Sequence, residues 1–187
     1  MPVKWSRCLL LIALGINLLS CSRNAGSDPS SGSSGGSSDL GSPVTDDGVF
    51  SFQGPKGWNP QDDPDRAYPT CIGPAEEGGF KPSIFITSEG NQAVDDYVKS
   101  QTEKLSGINS KFKLVDKASF KTDHGETGMR LVVRNESSPR KIESVRYVFA
   151  MKNGLLLVFR CQCPSAEDAQ FRPIFDASMK SLIFDSN

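Results

Sequence analysis

Four stretches in the second half of the chain repeat with period two, each with one strongly apolar side. In "TGMRLVVRNE" Met129, Leu131 and Val133 fall on one side, and Arg130, Val132 and Arg134 on the other. "IESVRYVFAMKNG" groups Val145, Tyr147, Phe149 and Met151, and "GLLLVFRCQC" groups Leu155, Leu157, Phe159, Cys161 and Cys163. Period two with one strongly apolar side predicts strands. "SKFKLVDKASFKTD" reads as a further strand ahead of them, and Asn153 with Gly154 predicts a hairpin joining the last two. Earlier, "VFSFQGPKGW" and "KPSIFITS" read as two more strands, separated by the Pro, Gly and Asp-rich "NPQDDPDRAYPTCIGPAEEGG", expected as one long loop.

The period changes in two places. Val94, Tyr97, Val98, Gln101 and Leu105 follow helical spacing, predicting a helix over 91–105 capped by Asn91. Phe171, Ile174, Phe175, Ser178, Met179 and Leu182 form the buried stripe of a closing helix, with Ser165 as cap, Asp168 three residues on, and Pro173 as a bend or later start. The expected fold class is α+β, an antiparallel sheet flanked by helices in a layered sandwich.

The first 48 residues have a different texture. Lys4 and Arg7 precede "CLLLIALGINLLSC", a basic segment followed by a short apolar run, the layout of a secretory signal peptide. About 20 apolar residues are needed to span a bilayer, and Asn17 interrupts this run. "LLSC" resembles the bacterial lipobox, which implies cleavage after Ser20 and acylation (palmitate among the chains) of Cys21. Each buried methylene then contributes about 0.8 kcal/mol to anchoring in the lipid bilayer. Residues 22–48 are dominated by Ser and Gly, with Pro29, Pro43 and scattered aspartates, and bury too little to repay ordering. The organisation expected is therefore a signal peptide at 1–20, a lipidated Cys21 and tether at 21–48 reaching roughly 30 Å, and one α+β domain at 49–187. The location that follows is the bacterial cell envelope, on its extracytoplasmic face.

Charge and motifs remove several functions. The formal net charge of −1 over 187 residues, without clustered Lys and Arg, argues against nucleic acid as a partner. His124, in "KTDHGETG", is the one histidine and reads as a solvated turn residue rather than a general base. No "GxSxG", "HExxH" or phosphate-cradling glycine loop appears, so no catalytic residue is assigned. Asp62, Asp63 and Asp65 are oxygen ligands without the spacing of a calcium loop. Cys161 and Cys163 with Cys71 or His124 lack the two-residue turn of structural zinc sites. Neither a metal nor any other cofactor is expected.

An early strand ending in "GPKGW", then "KPSIFI", a helix, a four-strand meander containing "YVFAMKNGLLLVFRC" and a helix running into "MKSLIF" together resemble the PsbP-like domain, which includes small secreted bacterial lipoproteins. The resemblance covers residues 49–185 and implies an interaction or accessory role with no catalytic residue. The acidic insert after Trp58 and the three downstream cysteines depart from it. The function expected is a membrane-anchored, non-catalytic binding or accessory domain whose partner is an envelope protein, peptide or small ligand. An envelope hydrolase without a recognisable motif and a structural envelope component are the alternatives. Trp58 and Tyr68 are the expected binding surface.

Cysteine arithmetic adds one expectation. With Cys21 lipidated, Cys71, Cys161 and Cys163 remain, an odd number in an oxidising compartment. Pairing within "CQC" would distort the strand, so a disulfide from Cys71 to Cys163, or else to Cys161, is expected to pin the acidic loop. For a closed loop of roughly ninety residues the chain-entropy model puts this at about 4 to 5 kcal/mol.

Overall fold

The computed structural model describes residues 40–62, 65–76, 78–107, 111–137 and 141–185. Within them the alternating stretches pair as antiparallel strands. Those of the larger sheet are β3 (Asn59–Gln61), β4 (Thr70–Ile72), β5 (Ser83–Glu89), β6 (Phe112–Lys121), β7 (Thr127–Asn135), β8 (Ile142–Ala150) and β9 (Leu156–Pro164), in the order β3-β4-β5-β9-β8-β7-β6. A smaller sheet, ordered β1-β2-β10, is built from β1 (Leu40–Asp46), β2 (Phe50–Pro55) and the short β10 (Ile183–Phe184). Two helices, α1 (Val94–Leu105) and α2 (Asp168–Lys180), complete an α+β fold.

Side-chain alternation decides the layers. Val145, Tyr147, Phe149, Leu157, Phe159, Cys161 and Cys163 point to the face covered by the smaller sheet and α2, where they join Phe50, Phe52, Phe171, Phe175 and Met179 in one core. Phe159 sits at its centre, edge-on to Phe50 at 5.3 Å and to Phe52 at 5.8 Å between ring centroids. The opposite face carries Leu131, Val148, Leu156 and Val158, covered by Tyr97 and Val98 of α1. Strands β7, β8 and β9 are thus buried on both faces, which is why Leu131, Val132 and Val133 are all buried although they alternate.

The β8–β9 hairpin forms at Asn153 and Gly154. Gly154 takes φ +82°, its N–H donates to the Met151 carbonyl, and the Leu155 N–H donates to Asn153 Oδ1. A type I turn closed by a left-handed residue is the usual three-residue hairpin, and glycine adopts that conformation without a Cβ penalty.

Several local expectations are corrected. The folded region starts at or before Leu40, not at Val49, because β1 pairs along β2 with Val44 opposite Phe52. The long segment after Trp58 is not a plain loop; β3 and β4 form a hairpin that extends the sheet, and Cys71 is consequently a strand residue. Ala93 rather than Asn91 occupies the cap position of α1, without a side-chain hydrogen bond. Ser165 opens a single 3-10 turn at Ser165–Glu167, and Pro173 lies inside α2.

The expected disulfide is absent, and register gives the reason. Cys71 is the partner of Ile84, and Ile84 is the partner of Cys161, so β5 runs between the two cysteines. Two strand spacings amount to roughly 9.5 Å, beyond the roughly 7 Å that a disulfide allows. Cys163 lies two residues further along β9. All three thiols are free and buried.

Candidate functional site

Residues packed on the larger core also line a cavity at the surface. Val49 stands in the turn between β1 and β2, Met151 and Leu155 in the β8–β9 hairpin, Phe184 in β10, and Tyr68 in the segment leading to β4. Together with Glu126, Lys152 and Asp185 they enclose a cavity of about 450 Å³. Val49, Tyr68, Met151 and Phe184 also pack on the core, so the cavity floor is continuous with it. Tyr68 lies 6.0 Å from the Phe50 ring and Phe184 5.7 Å from the Phe149 ring, edge-on.

Local hydrogen bonds hold the rim. The Asp185 N–H donates to the Val49 carbonyl at 3.1 Å, tying the chain after β10 to the β1–β2 turn, and the Met151 N–H donates to the Leu155 carbonyl at 2.8 Å across the hairpin neck. The walls are therefore built from segments with little freedom to collapse, and an apolar group entering the cavity meets a preformed surface.

Tyr68 is shared with a second hollow of about 400 Å³, lined by Thr45, Asp46, Asp47, Asp62 and Arg66. Burial, and then the neighbouring Asp47 charge, raise the Asp46 carboxyl above its ordinary value. Over both hollows five carboxylates (Asp46, Asp47, Asp62, Glu126 and Asp185) face two cations (Arg66 and Lys152). The arrangement suits an apolar group with a positive charge beside it. Neither lining contains a cysteine, serine or histidine nucleophile.

The other residues singled out in the sequence lie apart from this cleft. Trp58 is no binding surface: at 8% exposure it packs edge-on against Phe171 and Phe175 of α2, at 6.3 and 6.0 Å. Gly73 makes room for it, since a Cβ there would lie 2.7 Å from the indole. His124 is exposed in the β6–β7 turn and lines neither hollow. Asp62 reaches the acidic hollow, Asp65 is exposed, and Asp63 lies outside the described residues, as does Cys21. Among the described residues no group of three or more His, Cys, Asp or Glu is placed to hold a metal. Burial pushes the Cys71 thiol up to about 11 and the Cys163 thiol up to about 12, and lifts Cys161 well above its ordinary value, so none is a poised thiolate. Among the described residues no helix is long and apolar enough to cross a membrane.

Val49, Met151, Leu155 and Phe184 were missed in the sequence as lining residues. Each is an apolar residue at a strand end beside a turn, a signal equally common in ordinary cores.

No protein-family model and no curated protein matches the sequence. Solved structures do share the fold. LpqN of Mycobacterium tuberculosis, described as involved in cell envelope biogenesis, superposes with a TM-score of 0.55 at 15% identity, over 78% of this chain and 90% of that one. Cyanobacterial PsbP (CyanoP) from Synechocystis sp. PCC 6803 gives 0.53 at 15%, over 83% and 98%. PA94, a Pseudomonas aeruginosa protein of unknown function, gives 0.53 at 18%, over 76% and 95%. At these identities the likeness is one of fold: two antiparallel sheets and two helices in the PsbP-like arrangement.

Proposed function

We propose that this protein is a non-catalytic binding domain of the bacterial envelope, held to a membrane through acylated Cys21, that captures a peptide segment carrying an apolar side chain next to a lysine or arginine. The observation that carries the reading is the cleft at Tyr68, where an apolar cavity floored by the core adjoins a carboxylate-rich hollow. The apolar side chain would lie among Val49, Met151 and Phe184, and the neighbouring cation would face Asp46, Asp47 and Asp62. Tyr68, between the two hollows, would contact both parts.

Anchoring rests on "LLSC" after a short apolar run, and the Ser and Gly-rich stretch ahead of β1 has the composition of a tether. LpqN, which shares the fold, has an envelope role, in keeping with that placement. A tethered domain gains from its restricted volume, since a linker raises the effective concentration of a module at nearby targets.

The test is a peptide array, followed by fluorescence-polarisation titration with the full-length chain. Peptides with an apolar residue beside Lys or Arg should bind, and Met151→Glu and Tyr68→Ala should each weaken binding at least about tenfold, or about 1.4 kcal/mol. Equal binding of peptides in which Lys or Arg is replaced by Glu, or unchanged binding by both variants, would refute the assignment. Mass spectrometry of the mature N-terminus tests the anchor separately, and an unmodified Cys21 would remove it.

A further inference from the structure

The opposite face of the larger sheet, under α1, holds an arrangement the peptide cleft does not use. Arg146 of β8 and Arg160 of β9 are in-register partners. Like charges directly opposite on neighbouring strands repel, and two groups answer them. Glu89 of β5 accepts a hydrogen bond from Arg160 Nη2 at 3.2 Å, and Gln101 of α1 accepts one from Arg146 Nη1 at 3.1 Å. Two cations thus face one carboxylate and one neutral amide.

Four polar atoms in the same region are buried without a hydrogen bond of ordinary geometry: Arg146 Nε, Arg160 Nε, the Tyr97 hydroxyl, whose oxygen lies against the Arg146 guanidinium while its own proton is left to donate, and Thr87 Oγ1. Tyr97 is 1% exposed and belongs to α1, while Thr87 shares the α1 side of β5 with Glu89. The two Nε–H groups can only donate, and both hydroxyls are able to donate. Burial, and then the neighbouring Arg160, hold the Arg146 guanidinium below its ordinary value, against the opposing pull of Tyr97 and Glu89.

A water molecule would satisfy part of this set but would leave the charge in place. An oxyanion supplies several acceptors and no donor, and it neutralises the excess charge. Access exists at one edge, where the Arg160 and Glu89 side chains are 27% and 32% exposed.

We infer that Arg146, Arg160 and Tyr97, with Thr87 at the margin, form a binding site for an oxyanion of the carboxylate or phosphate class, seated between α1 and the sheet. It lies on the other face of the sheet from the core that floors the peptide cleft, and it is independent of the cleft assignment.

The experiment titrates the full-length chain with inorganic phosphate and, separately, with acetate, against chloride at matched ionic strength. The readouts are the Arg Nε–H resonances and the melting temperature. The Arg146 and Arg160 Nε–H signals should shift with saturable dependence on one of the two oxyanions, and the responding one identifies the class. Arg160→Gln should raise the dissociation constant about tenfold or more. Tyr97→Phe removes only the hydroxyl, so it should melt at or above the wild-type temperature in chloride and still bind the oxyanion several-fold more weakly. Nε–H signals that move with neither oxyanion, a chloride response equal to both, or wild-type affinity in Tyr97→Phe would each overturn the site.

Discussion

Glu143 of β8 is fully buried, yet it is ionised, because Arg134 reaches its Oε2 and Arg172 its Oε1, both at 2.8 Å. Asp168, at the start of α2, contacts the same Arg172 guanidinium. Two carboxylates therefore share a limited supply of positive charge. Burial pushes Glu143 up, but hydrogen bonds from Asp168, Arg134 and Arg172 outweigh it and leave its carboxyl below the ordinary value. Asp168 gives way: burial first, then its hydrogen bond to Glu143 and the Glu143 charge, raise it to about 6 from 3.8. Folded Asp168 thus holds its proton more tightly than the unfolded chain does. Its contribution to stability is in place at low pH and is lost as pH rises from about 4 to about 6.

The informative variant is Asp168→Asn, whose amide donates to Glu143 as the protonated acid does but cannot ionise. Raising the carboxyl from 3.8 to about 6 corresponds to about 3 kcal/mol undamped. Asp168 is 17% exposed in its side chain, and the water reaching the pair screens it, leaving about 1 to 2 kcal/mol as the expected effect. Urea denaturation of both proteins across pH 4 to 8 isolates it, because the remaining carboxylates cancel in the difference. The variant should gain on the wild type by that amount as pH rises through 6, then plateau. A pH-independent difference, or a variant that loses ground between pH 4 and 5 and then stays level, would show that the Arg172 contact holds Asp168 ionised throughout.

Three further outcomes are expected. Gly128→Ala should cost about 3 kcal/mol in a urea melt, because a Cβ there would lie 2.3 Å from the Val148 carbonyl oxygen and 2.7 Å from the Phe149 ring, inside the paired strands; wild-type stability would contradict the β7–β8 register. Trp58→Ala should lose about 3 to 5 kcal/mol, whereas Tyr68→Ala should lose about 1 kcal/mol while weakening peptide capture at least about tenfold, and the reverse ranking would undo the division between core and cleft. Alkylation without reductant should leave Cys71, Cys161 and Cys163 unmodified in the native protein and label all three in urea; any of them protected in urea would reveal a disulfide that the register forbids.

The strands of the meander, both helices and the β8–β9 hairpin were legible because each rests on a pattern that repeats within a dozen residues. Val145, Tyr147 and Phe149 share a side of β8 wherever that strand is placed, and Phe171, Phe175 and Met179 share a side of α2. The cap assignments to Asn91 and Ser165 failed for the opposite reason. A capping side chain competes with the local path of the chain, and a 3-10 turn at Ser165–Glu167 shifted the start of α2 by one turn. Trp58 was misplaced because a Gly and Pro-rich surrounding reads as surface, although Gly73 is small so that the indole can be buried beside it.

The sequence by itself determined which residues alternate and which follow helical spacing, hence the fold class, the helix stripes and one hairpin. It also carried the "LLSC" pattern on which the proposed anchoring rests. Tertiary structure alone decided what covers each face. Neighbouring Leu131 and Val132 fall into two different cores only because α1 lies on one side and the smaller sheet with α2 on the other. Register decided the chemistry of the cysteines, since placing Ile84 between Cys71 and Cys161 is a pairing between strands far apart in the chain. The cleft depends on the same long-range order. Val49, Tyr68, Met151 and Phe184 come from four separate segments and meet where the sheets end, and the Arg146 and Arg160 pair exists because β8 and β9 stack those two positions. Local pattern encodes which way a side chain points, whereas a binding site is defined by what the fold brings opposite it.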